Sequence, residues 1–301
     1  DTNTFSQTWF IRSKKGTKFL KPVLLSEPGE GGFTPQVAVD TNGVVYVTWQ
    51  ASSSANGEQV VVETSTNLGV SFAPRVVLSG SSTTAEAPSI VTDSNNIIHV
   101  IWQDSSSGST VILYSNSADG GNTFSTPVRI STGPGPDTQP QLGLDKLGGV
   151  NAIWVDQSGG PSAPTQIQIS RSTDGGNTFT TPTNVTNVKN GNFSELAITP
   201  LEQTTFIAYQ DAVSSQVFLT QSQSSQLNFQ APVRVSDANT QNGEARSPAM
   251  IADHGGLLHI VWIDTSIIGD QEGLMLYSTT RNGHSFAAPV EILAVVHGPS
   301  E

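Results

Sequence analysis

Ser117-Ala-Asp-Gly-Gly-Asn-Thr-Phe124 returns almost unchanged 55 residues later in the chain as Ser172-Thr-Asp-Gly-Gly-Asn-Thr-Phe179. Weaker copies of this phrase end at four other phenylalanines, which are Phe19, Phe72, Phe229 and Phe286. The six phenylalanines follow one another at intervals of 50 to 57 residues. A fixed period of this size is typical of a chain that is built from repeated supersecondary units.

Each repeat contains the same succession of short segments that favour β-strands. A first strand opens at a proline such as Pro88 and ends at an aspartate such as Asp93, and a second, β-branched strand ends in a tryptophan such as Trp102. A third strand, the eight-residue phrase and a fourth strand complete the repeat. Four short antiparallel strands in about 50 residues describe a propeller blade, and no useful helical periodicity appears. The sequence therefore predicts an all-β, six-bladed β-propeller of four-stranded antiparallel blades, as one domain over residues 1–301.

One of the six predicted blades is incomplete. Five full blades cover approximately residues 35–79, 88–131, 140–186, 194–236 and 248–292, whereas residues 7–26 supply only a third and a fourth strand. Residues 293–301 contain no copy of the missing first two strands. Two interpretations stay open: the chain is shortened by processing or by design, or another copy or a partner lends the strands, since unpaired sheet edges invite pairing.

The repeated phrase has the composition of a turn that staples a hairpin. Its aspartate accepts hydrogen bonds from turn amides, its glycines adopt positive φ, its threonine closes the turn, and its phenylalanine is buried between blades. The residues with these structural roles are Asp119, Gly121, Thr123 and Phe124 in one copy, and Asp174, Gly176, Thr178 and Phe179 in the other.

These phrases resemble the Asp-box, or bacterial neuraminidase repeat, of the sialidase-like β-propeller superfamily. Both copies match the form Ser-x-Asp-x-Gly-x-Thr-aromatic in full, and the phrase from Ser65 to Phe72 carries Asn67 in place of the aspartate. The resemblance extends over nearly the whole chain. It implies that an active site, where a member has one, lies on the face opposite the boxes. Because such boxes also occur in non-enzymatic secreted propellers, the resemblance predicts the fold and leaves the activity open.

Composition and charge exclude several functions. The formal net charge is −12 and there are only 13 lysines and arginines, too few for the basic face of a nucleic-acid-binding protein. The chain contains no apolar run of about 18 residues, so the sequence predicts no membrane span. Cysteine is absent, and the chain opens at Asp1 without a leader, so we expect any export signal to have been removed. An exported protein without disulfides loses nothing by lacking cysteine, which favours an extracellular or cell-surface location.

The arginines of the chain argue against a sialidase. Sialidases hold the carboxylate of their sugar with three arginines, whose planar guanidinium suits bidentate binding. Arg75, Arg129 and Arg234 recur at one place in the fourth strand, and we interpret them as parts of the blade. Only Arg246 lies where a ligand-binding arginine is expected. The sequence therefore identifies no catalytic residue and favours a protein that is not an enzyme.

Carboxylates on the face opposite the boxes are the other candidate ligand-binding groups. Four aspartates each lie two residues after the aromatic residue that ends the second strand, and Glu86 lies on the same face; the four are Asp104, Asp156, Asp211 and Asp264. Two carboxylates about 5 to 10 Å apart would suit glycoside hydrolysis. The repetition equally favours a shared structural role, such as capping the loop that follows, and both interpretations stay open.

One loop is a candidate calcium site, because Ca²⁺ takes about six to eight oxygen ligands. Its oxygen-bearing side chains are those of Asp237, Asn239, Asn242 and Glu244. Their spacing is not that of an EF-hand, so a solvated loop is the alternative. The sequence indicates no other cofactor.

Three functions fit these observations. The first is a secreted or cell-surface binding module without catalytic activity, which presents its acidic face to a glycan, a cation or an extracellular protein. The second is a structural subunit of a surface layer or filament, which self-associates by strand complementation at the incomplete blade. The third is a glycoside hydrolase of sialidase-like fold.

Overall fold

The chain folds almost entirely into short strands. The computed structural model describes residues 6–14, 16, 18–80, 82, 84–160, 163–186, 193–201, 203–223, 226–237, 243–266 and 273–294. These residues form 24 strands, in five four-stranded and two two-stranded sheets. Within them, no helix has the length and apolar character needed to cross a membrane. The chain divides into two compact units, residues 1–142 with 170–182, and residues 143–169 with 183–301.

The first unit holds two complete blade sheets, in which consecutive strands pair antiparallel. One contains β5 (Gly31–Val39), β6 (Val45–Ser53), β7 (Gly57–Ser65) and β8 (Val76–Val77). The other contains β9 (Ala85–Thr92), β10 (Ile98–Asp104), β11 (Val111–Ser117) and β12 (Val128–Arg129). Two smaller sheets pair β1 (Trp9–Phe10) with β4 (Val23–Leu24), and β2 (Ser13–Lys14) with β3 (Lys18–Phe19).

The second unit also holds two complete blade sheets. One contains β17 (Phe193–Leu201), β18 (Thr204–Asp211), β19 (Gln216–Gln223) and β20 (Val233–Arg234). The other contains β21 (Ala245–Ala252), β22 (Leu258–Asp264), β23 (Leu274–Thr280) and β24 (Val290–Ala294). The fifth four-stranded sheet has the order β13 (Asp137–Leu144), β14 (Val150–Asp156), β15 (Gln166–Ser172) and β16 (Thr183–Asn184).

An aspartate builds the turn between the first two strands in four repeats. The Asp93 carboxylate accepts hydrogen bonds from the backbone N–H groups of Asn95 and Ile97, at 2.9 and 2.8 Å. The same pair of bonds recurs at Asp40, Asp145 and Asp253. Because this side chain satisfies the amides of a tight turn, it fixes where the second strand begins.

The outer two strands are fastened by one recurring pair of hydrogen bonds, and β1 and β4 have it too. The backbone N–H of Thr8 donates to Ser26 Oγ at 3.2 Å, and its carbonyl accepts from the N–H of Leu25 at 3.0 Å. The residues that make equivalent bonds in complete blades are Val60, Ile112 and Val217. The strands β1 and β4 are therefore the outer half of a blade.

The core lies where sheets face each other, and the second-strand tryptophans fill it. Trp102 is fully buried in a cluster that joins Val60 of one blade to Ile90 of the next. The equivalent side chains of Trp49, Trp154 and Trp262 are at most 1% exposed. Four tryptophans at one place in the repeat thus act as packing residues, because a buried ring offers no face to a sugar.

Candidate functional site

In the two repeated phrases, which we call the box turns, the exposed carboxylates accept hydrogen bonds from their own turns. In the first, Asp119 accepts hydrogen bonds from the Ser117 hydroxyl at 2.8 Å and from the N–H and hydroxyl of Thr123 at 2.9 and 2.6 Å. These bonds, led by those from Thr123, lower the pKa of Asp119 to about 2. Asp174 makes the same bonds in the second turn, and its pKa is likewise lowered to about 2.

The phenylalanines of the box turns are half-buried and pack against the blades. The ring of Phe179 contacts Tyr114 edge-on, with 4.8 Å between ring centroids. Phe124 packs against the cluster that contains Trp102. Gly121 and Gly176 have φ of 85° and 90°, a region that favours glycine. The box turns thus join sheets together, and their groups are committed to structure.

A different arrangement of carboxylates lies at the other end of the same sheets. The amide of Gln103 donates to Glu86 Oε2 at 3.0 Å, and the amide of Gln50 donates to Glu58. Glu58 lies near enough to Glu86 for the charge of Glu86 to raise its pKa. We call these four half-buried residues the acid–amide cluster. Its glutamines directly follow buried tryptophans, so the ends of β6 and β10 set their positions.

The charge of Glu86 acts on the neighbouring Glu58 in the acid–amide cluster. Burial raises the pKa of Glu58, and the charge of Glu86 and the hydrogen bond to it raise that pKa further, against the opposing bond from Gln50. The two charges repel each other, so the charged form of Glu58 is less favourable beside Glu86 than in water.

Strained backbone aims Glu86 into the cluster. Ala87, the next residue, has φ of 49°, and the pairing of β9 with β10 shifts register between Ile101 and Gln103. The N–H of Gln139 donates to Gln103 Oε1 at 3.0 Å and holds that amide from the other side. Residues before the opening proline have positive φ in three other first strands, at Thr34, Gln139 and Ser247. Bulges of this kind redirect side chains and are frequent beside functional sites.

The four aspartates named as candidate ligand-binding groups all bind the turn that follows them. Asp104, which is 2% exposed, accepts hydrogen bonds from the N–H of Ser106 at 2.8 Å and from its hydroxyl. The others accept from the N–H two residues later in the same way, namely Asp156 from Ser158, Asp211 from Val213 and Asp264 from Ser266. Asp104 and Glu86 lie in the first unit, and the other three lie in the second. These bonds are those of loop caps.

The second unit contains a smaller version of the acid–amide arrangement. The amide of Gln210 donates to Glu244 Oε2 at 2.9 Å, and Arg246 Nε lies 3.9 Å from Glu244 Oε1. Arg246 is thus placed beside a carboxylate of its own chain. Gln210, which bonds to Glu244, directly follows Tyr209 in the chain, just as Gln103 directly follows Trp102.

The predicted calcium ligands are only partly described. Asp237 makes an ion pair with Arg234 at 3.0 Å, and Glu244 accepts the Gln210 bond. Asn239 and Asn242 lie outside the described residues. Within the described ranges, no group of three or more His, Cys, Asp or Glu side chains is arranged to hold a metal ion. Calcium binding stays a prediction.

The recurring fourth-strand arginines bind groups of the protein itself. Arg75 donates to both carboxylate oxygens of Glu30, at 2.5 and 2.7 Å. The guanidinium of Arg129 donates to the carbonyl of Ser131 at 2.7 Å, and that of Arg234 binds an aspartate as described above.

Glu63 on β7 is another acidic group with a perturbed pKa. Burial raises its pKa to about 7, with Glu27 and Glu30 contributing and the nearby Arg75 opposing the rise. Glu63 lines a cleft together with Leu25 and other residues of the half-blade. It therefore carries a charge that the folded state accommodates poorly above neutral pH.

Two blades contain an Asp–His–Tyr chain of side-chain contacts. His99 Nδ1 lies 2.6 Å from Tyr114 Oη and its Nε2 lies 3.7 Å from Asp93. Burial lowers the pKa of His99, which is fully buried. His259 makes equivalent contacts in the second unit, at 2.7 and 3.2 Å. The chain at His99 orders its blade, because substrate has no access to this buried histidine, whereas the chain at His259 is partly exposed.

Sequence reasoning missed Gln50, Glu58 and Gln103. The signal was present in the repeats, since a glutamine directly follows the aromatic end of the second strand at Gln50, Gln103 and Gln210. Nothing in the sequence indicates that Glu58 meets Glu86, because they belong to different repeats.

Proteins similar to this chain are found by comparison of structures and not by comparison of sequences. No protein-family model matches the chain, and no curated protein matches it in sequence. A protein of unknown function from Dyadobacter fermentans is 12% identical, with a TM-score of 0.69 over 89% of this chain and 84% of its own. The α-L-arabinofuranosidase Arb93A of Fusarium graminearum is 13% identical, with a TM-score of 0.65 over 93% of this chain and 87% of its own.

Sialidases are also similar. The Hadza microbial sialidase Hz136 is 14% identical, with a TM-score of 0.57 over 87% of this chain, and the chain spans 58% of its length. Likeness at this level of identity concerns the fold. Together with five four-stranded sheets and the outer half of a sixth, it confirms the predicted all-β, six-bladed propeller class. The chain therefore has the fold of the sialidase-like β-propellers, the superfamily that its repeated phrases resemble.

Proposed function

We propose that the chain is a carbohydrate-binding propeller that acts outside the cell or at its surface and does not hydrolyse its ligand. The acid–amide cluster is its binding site. The observation that carries this proposal is the pair of neighbouring glutamates that each accept a hydrogen bond from a glutamine amide, Glu58 from Gln50 and Glu86 from Gln103. Planar amides and carboxyls in one half-exposed row offer alternating donors and acceptors, which match the hydroxyls of a sugar.

Several observations favour a neutral ligand. A negatively charged sugar would meet the glutamates of the acid–amide cluster, and its carboxylate would need arginines to hold it. Arg75 and Arg234 are both paired with carboxylates of the protein. The similar structures include an arabinanase complexed with arabinobiose, and that ligand is a neutral sugar. We therefore infer a neutral glycan for this chain.

The spacing of the glutamates favours binding over hydrolysis. A general acid and its partner carboxylate stand about 5 to 10 Å apart in glycoside hydrolases, so that the scissile bond fits between them. Each glutamate accepts a bond from a glutamine amide, and the charge of Glu86 raises the pKa of Glu58, so we infer that the two carboxyls lie closer together than such a catalytic pair.

A glycan array that includes arabino-oligosaccharides and sialosides tests the proposal. We expect selective binding of neutral glycans, weakened at least tenfold by Glu86→Ala and by Gln103→Ala. The matched control is Asn122→Ala, whose amide bonds only to the Asp119 carbonyl in a box turn. The array is read with and without Ca²⁺ to detect a cation requirement. Uniform weak binding to every glycan, or equal losses in all three variants, would contradict a carbohydrate site at this cluster.

Glycoside hydrolysis is the second candidate, because one observation favours it. Glu58 has a raised pKa beside a second carboxylate, as a general acid has. A panel of chromogenic glycosides decides between the two functions. Turnover that disappears in both Glu58→Gln and Glu86→Gln would establish the enzyme, whereas binding without turnover supports the binding module.

A further inference from the structure

The first unit contains a cleft on the side of the box turns, at the end of β6 and β7 that lies away from the acid–amide cluster. Its volume is about 820 Å³, and ligand sites commonly measure about 300 to 1,000 Å³. Two neighbouring blades form its walls, through the turns that precede β6 and β10, the end of β7 and the box turn at 118–122. None of the described residues that line the cleft is a lysine, an arginine or a histidine.

The corresponding junction one repeat later is filled by two large side chains. There, Tyr114 packs against a box turn, and Asn116 Nδ2 donates to the carbonyl of Gly175 in that turn at 3.2 Å. The strand register places Val62 where Tyr114 lies, and Thr64 where Asn116 lies. Valine and threonine occupy less volume than tyrosine and asparagine, so the junction between the first two blades stays open.

The carboxylates at the cleft are committed to their own turns. Asp40 accepts hydrogen bonds from the backbone N–H groups of Asn42 and Val44, both at 2.9 Å. The hydroxyl of Tyr46 donates to the same carboxylate at 3.2 Å. Asp119 is held by its box turn as described above. An uncharged ligand is therefore favoured, since a charged ligand would lose hydration at the cleft without gaining a basic partner.

Neutral amide and hydroxyl groups of the cleft remain available to a ligand. Asn96 Oδ1 accepts hydrogen bonds from the N–H and the hydroxyl of Thr41, at 3.0 and 2.7 Å. These bonds fix the orientation of the Asn96 amide and leave its NH₂ group to donate. Among the described residues, no group binds the side-chain amides of Asn42 and Asn95 or the hydroxyl of Thr64.

We propose that this cleft binds an extended, uncharged polypeptide segment of a partner protein. A side-chain carboxamide carries the same donor and acceptor as a peptide unit, so the amides of Asn42 and Asn95 can each pair with one peptide group of the segment. Val44, Pro74 and Val76 form an apolar part of the wall. Side chains alternate between the two faces of an extended segment, so every second one would lie against this wall.

The rings at the cleft favour a peptide over a sugar. A sugar that stacks on an aromatic side chain needs an open ring face. Tyr46 is 1% exposed, and Phe72 contacts Phe10 edge-on with 5.1 Å between ring centroids. A peptide needs no such face, because its backbone bonds to the amides of the cleft.

An array of seven-residue peptides with both ends blocked tests the proposal. The probes alternate valine with serine, and two matched sets carry lysine or glutamate in place of serine. We expect the wild-type chain to bind the uncharged set at least tenfold more tightly than either charged set. Equal binding of the three sets, or no binding of any set, overturns the proposal.

Variants of the cleft locate the binding. Asn95→Ala should weaken binding of the uncharged peptides at least tenfold, whereas Ser94→Ala, at an exposed neighbour that does not line the cleft, should leave it unchanged. Thr64→Asn copies Asn116 of the filled junction. It should weaken binding at least tenfold by reaching the carbonyl of Gly120, without lowering the melting temperature. Peptide binding that both Asn95→Ala and Thr64→Asn leave intact overturns the proposal.

The glycan array identifies the other occupant. If Thr64→Asn abolishes glycan binding while no peptide binds, the proposal is overturned in favour of a sugar at the cleft. Peptide binding and glycan binding are separate readouts with separate probes. A failure of the glycan site at the acid–amide cluster therefore leaves the result at the cleft unchanged.

Discussion

The two ends of the same blade sheets use carboxylates in opposite ways. In the box turns, Asp119 and Asp174 accept hydrogen bonds from the serine and the threonine of their own turn, and these bonds lower their pKa to about 2. In the acid–amide cluster, Glu58 faces another carboxyl and its pKa is raised. A carboxylate whose charge the fold satisfies stabilises the fold. A carboxylate whose pKa is raised by its surroundings is available to a ligand that can stabilise its charge or accept its proton. This difference between the two ends is the reason for placing the site at the acid–amide cluster.

The largest expected effect is a loss of stability when a glycine of a box turn is replaced. In Gly176→Ala, the added methyl group would overlap the hydroxyl of Tyr114, and φ is 90°. Overpacking and the unfavourable backbone together should cost about 2 to 5 kcal/mol in the free energy of unfolding. Gly175→Ala is the matched control, since its φ is 72° and its nearest atom is 3.6 Å away. Urea unfolding of both variants measures the difference, and equal losses would show that the box end is not closely packed.

The next effect is a gain in stability at Glu63. Its folded pKa of about 7 exceeds the ordinary 4.5, so the folded state binds the proton more tightly and loses stability as pH rises from 4.5 to 7. Glu63→Gln should therefore raise the free energy of unfolding at pH 8 by about 2 to 3 kcal/mol, and leave it unchanged at pH 4. Denaturant titrations at the two pH values measure this, and an equal change at both would contradict the raised pKa.

A smaller gain in stability is expected from Glu58→Gln. The neutral amide removes the repulsion with Glu86, so the melting temperature measured above neutral pH should be higher than that of the wild type. This increase should be smaller than the increase in Glu63→Gln, because Glu58 is less deeply buried. Carbohydrate binding should weaken in the same variant, since a carboxylate that accepts hydrogen bonds is lost. A variant that is both more stable and less able to bind would sharpen the contrast between the two ends. A loss of stability would remove it.

The smallest effect is expected in acid. Because the folded pKa of Asp119 and Asp174 lies near 2, below the ordinary 3.8, their contribution is complete above pH 3.8 and is lost as pH falls through 2. The wild-type melting temperature should therefore fall across this window, and that of Asp119→Asn with Asp174→Asn should change less. Thermal melts between pH 2 and 5 measure the slopes, and parallel slopes would mean that the box carboxylates are not perturbed.

The sequence predicted the fold because its determinants are local. The bonds of Asp119 stay within one eight-residue phrase, and those of Asp93 within a short turn, so repetition made them visible. The acid–amide cluster could not be predicted in the same way, because Glu58 and Glu86 come from different blades. The positive φ of Ala87 was equally hidden, since a residue before proline ordinarily favours an extended backbone.

The distribution of tryptophans gives the chain a built-in optical reporter. Of its five tryptophans, four are buried in blade cores, and Trp9 on β1 is 54% exposed. A quencher dissolved in the buffer should therefore reach only the indole of Trp9. Its red-shifted emission can then be separated from that of the four buried indoles, because it alone is quenched. Light emitted by this single side chain would follow events at the half-blade edge while the remaining four monitor whether the blades stay intact.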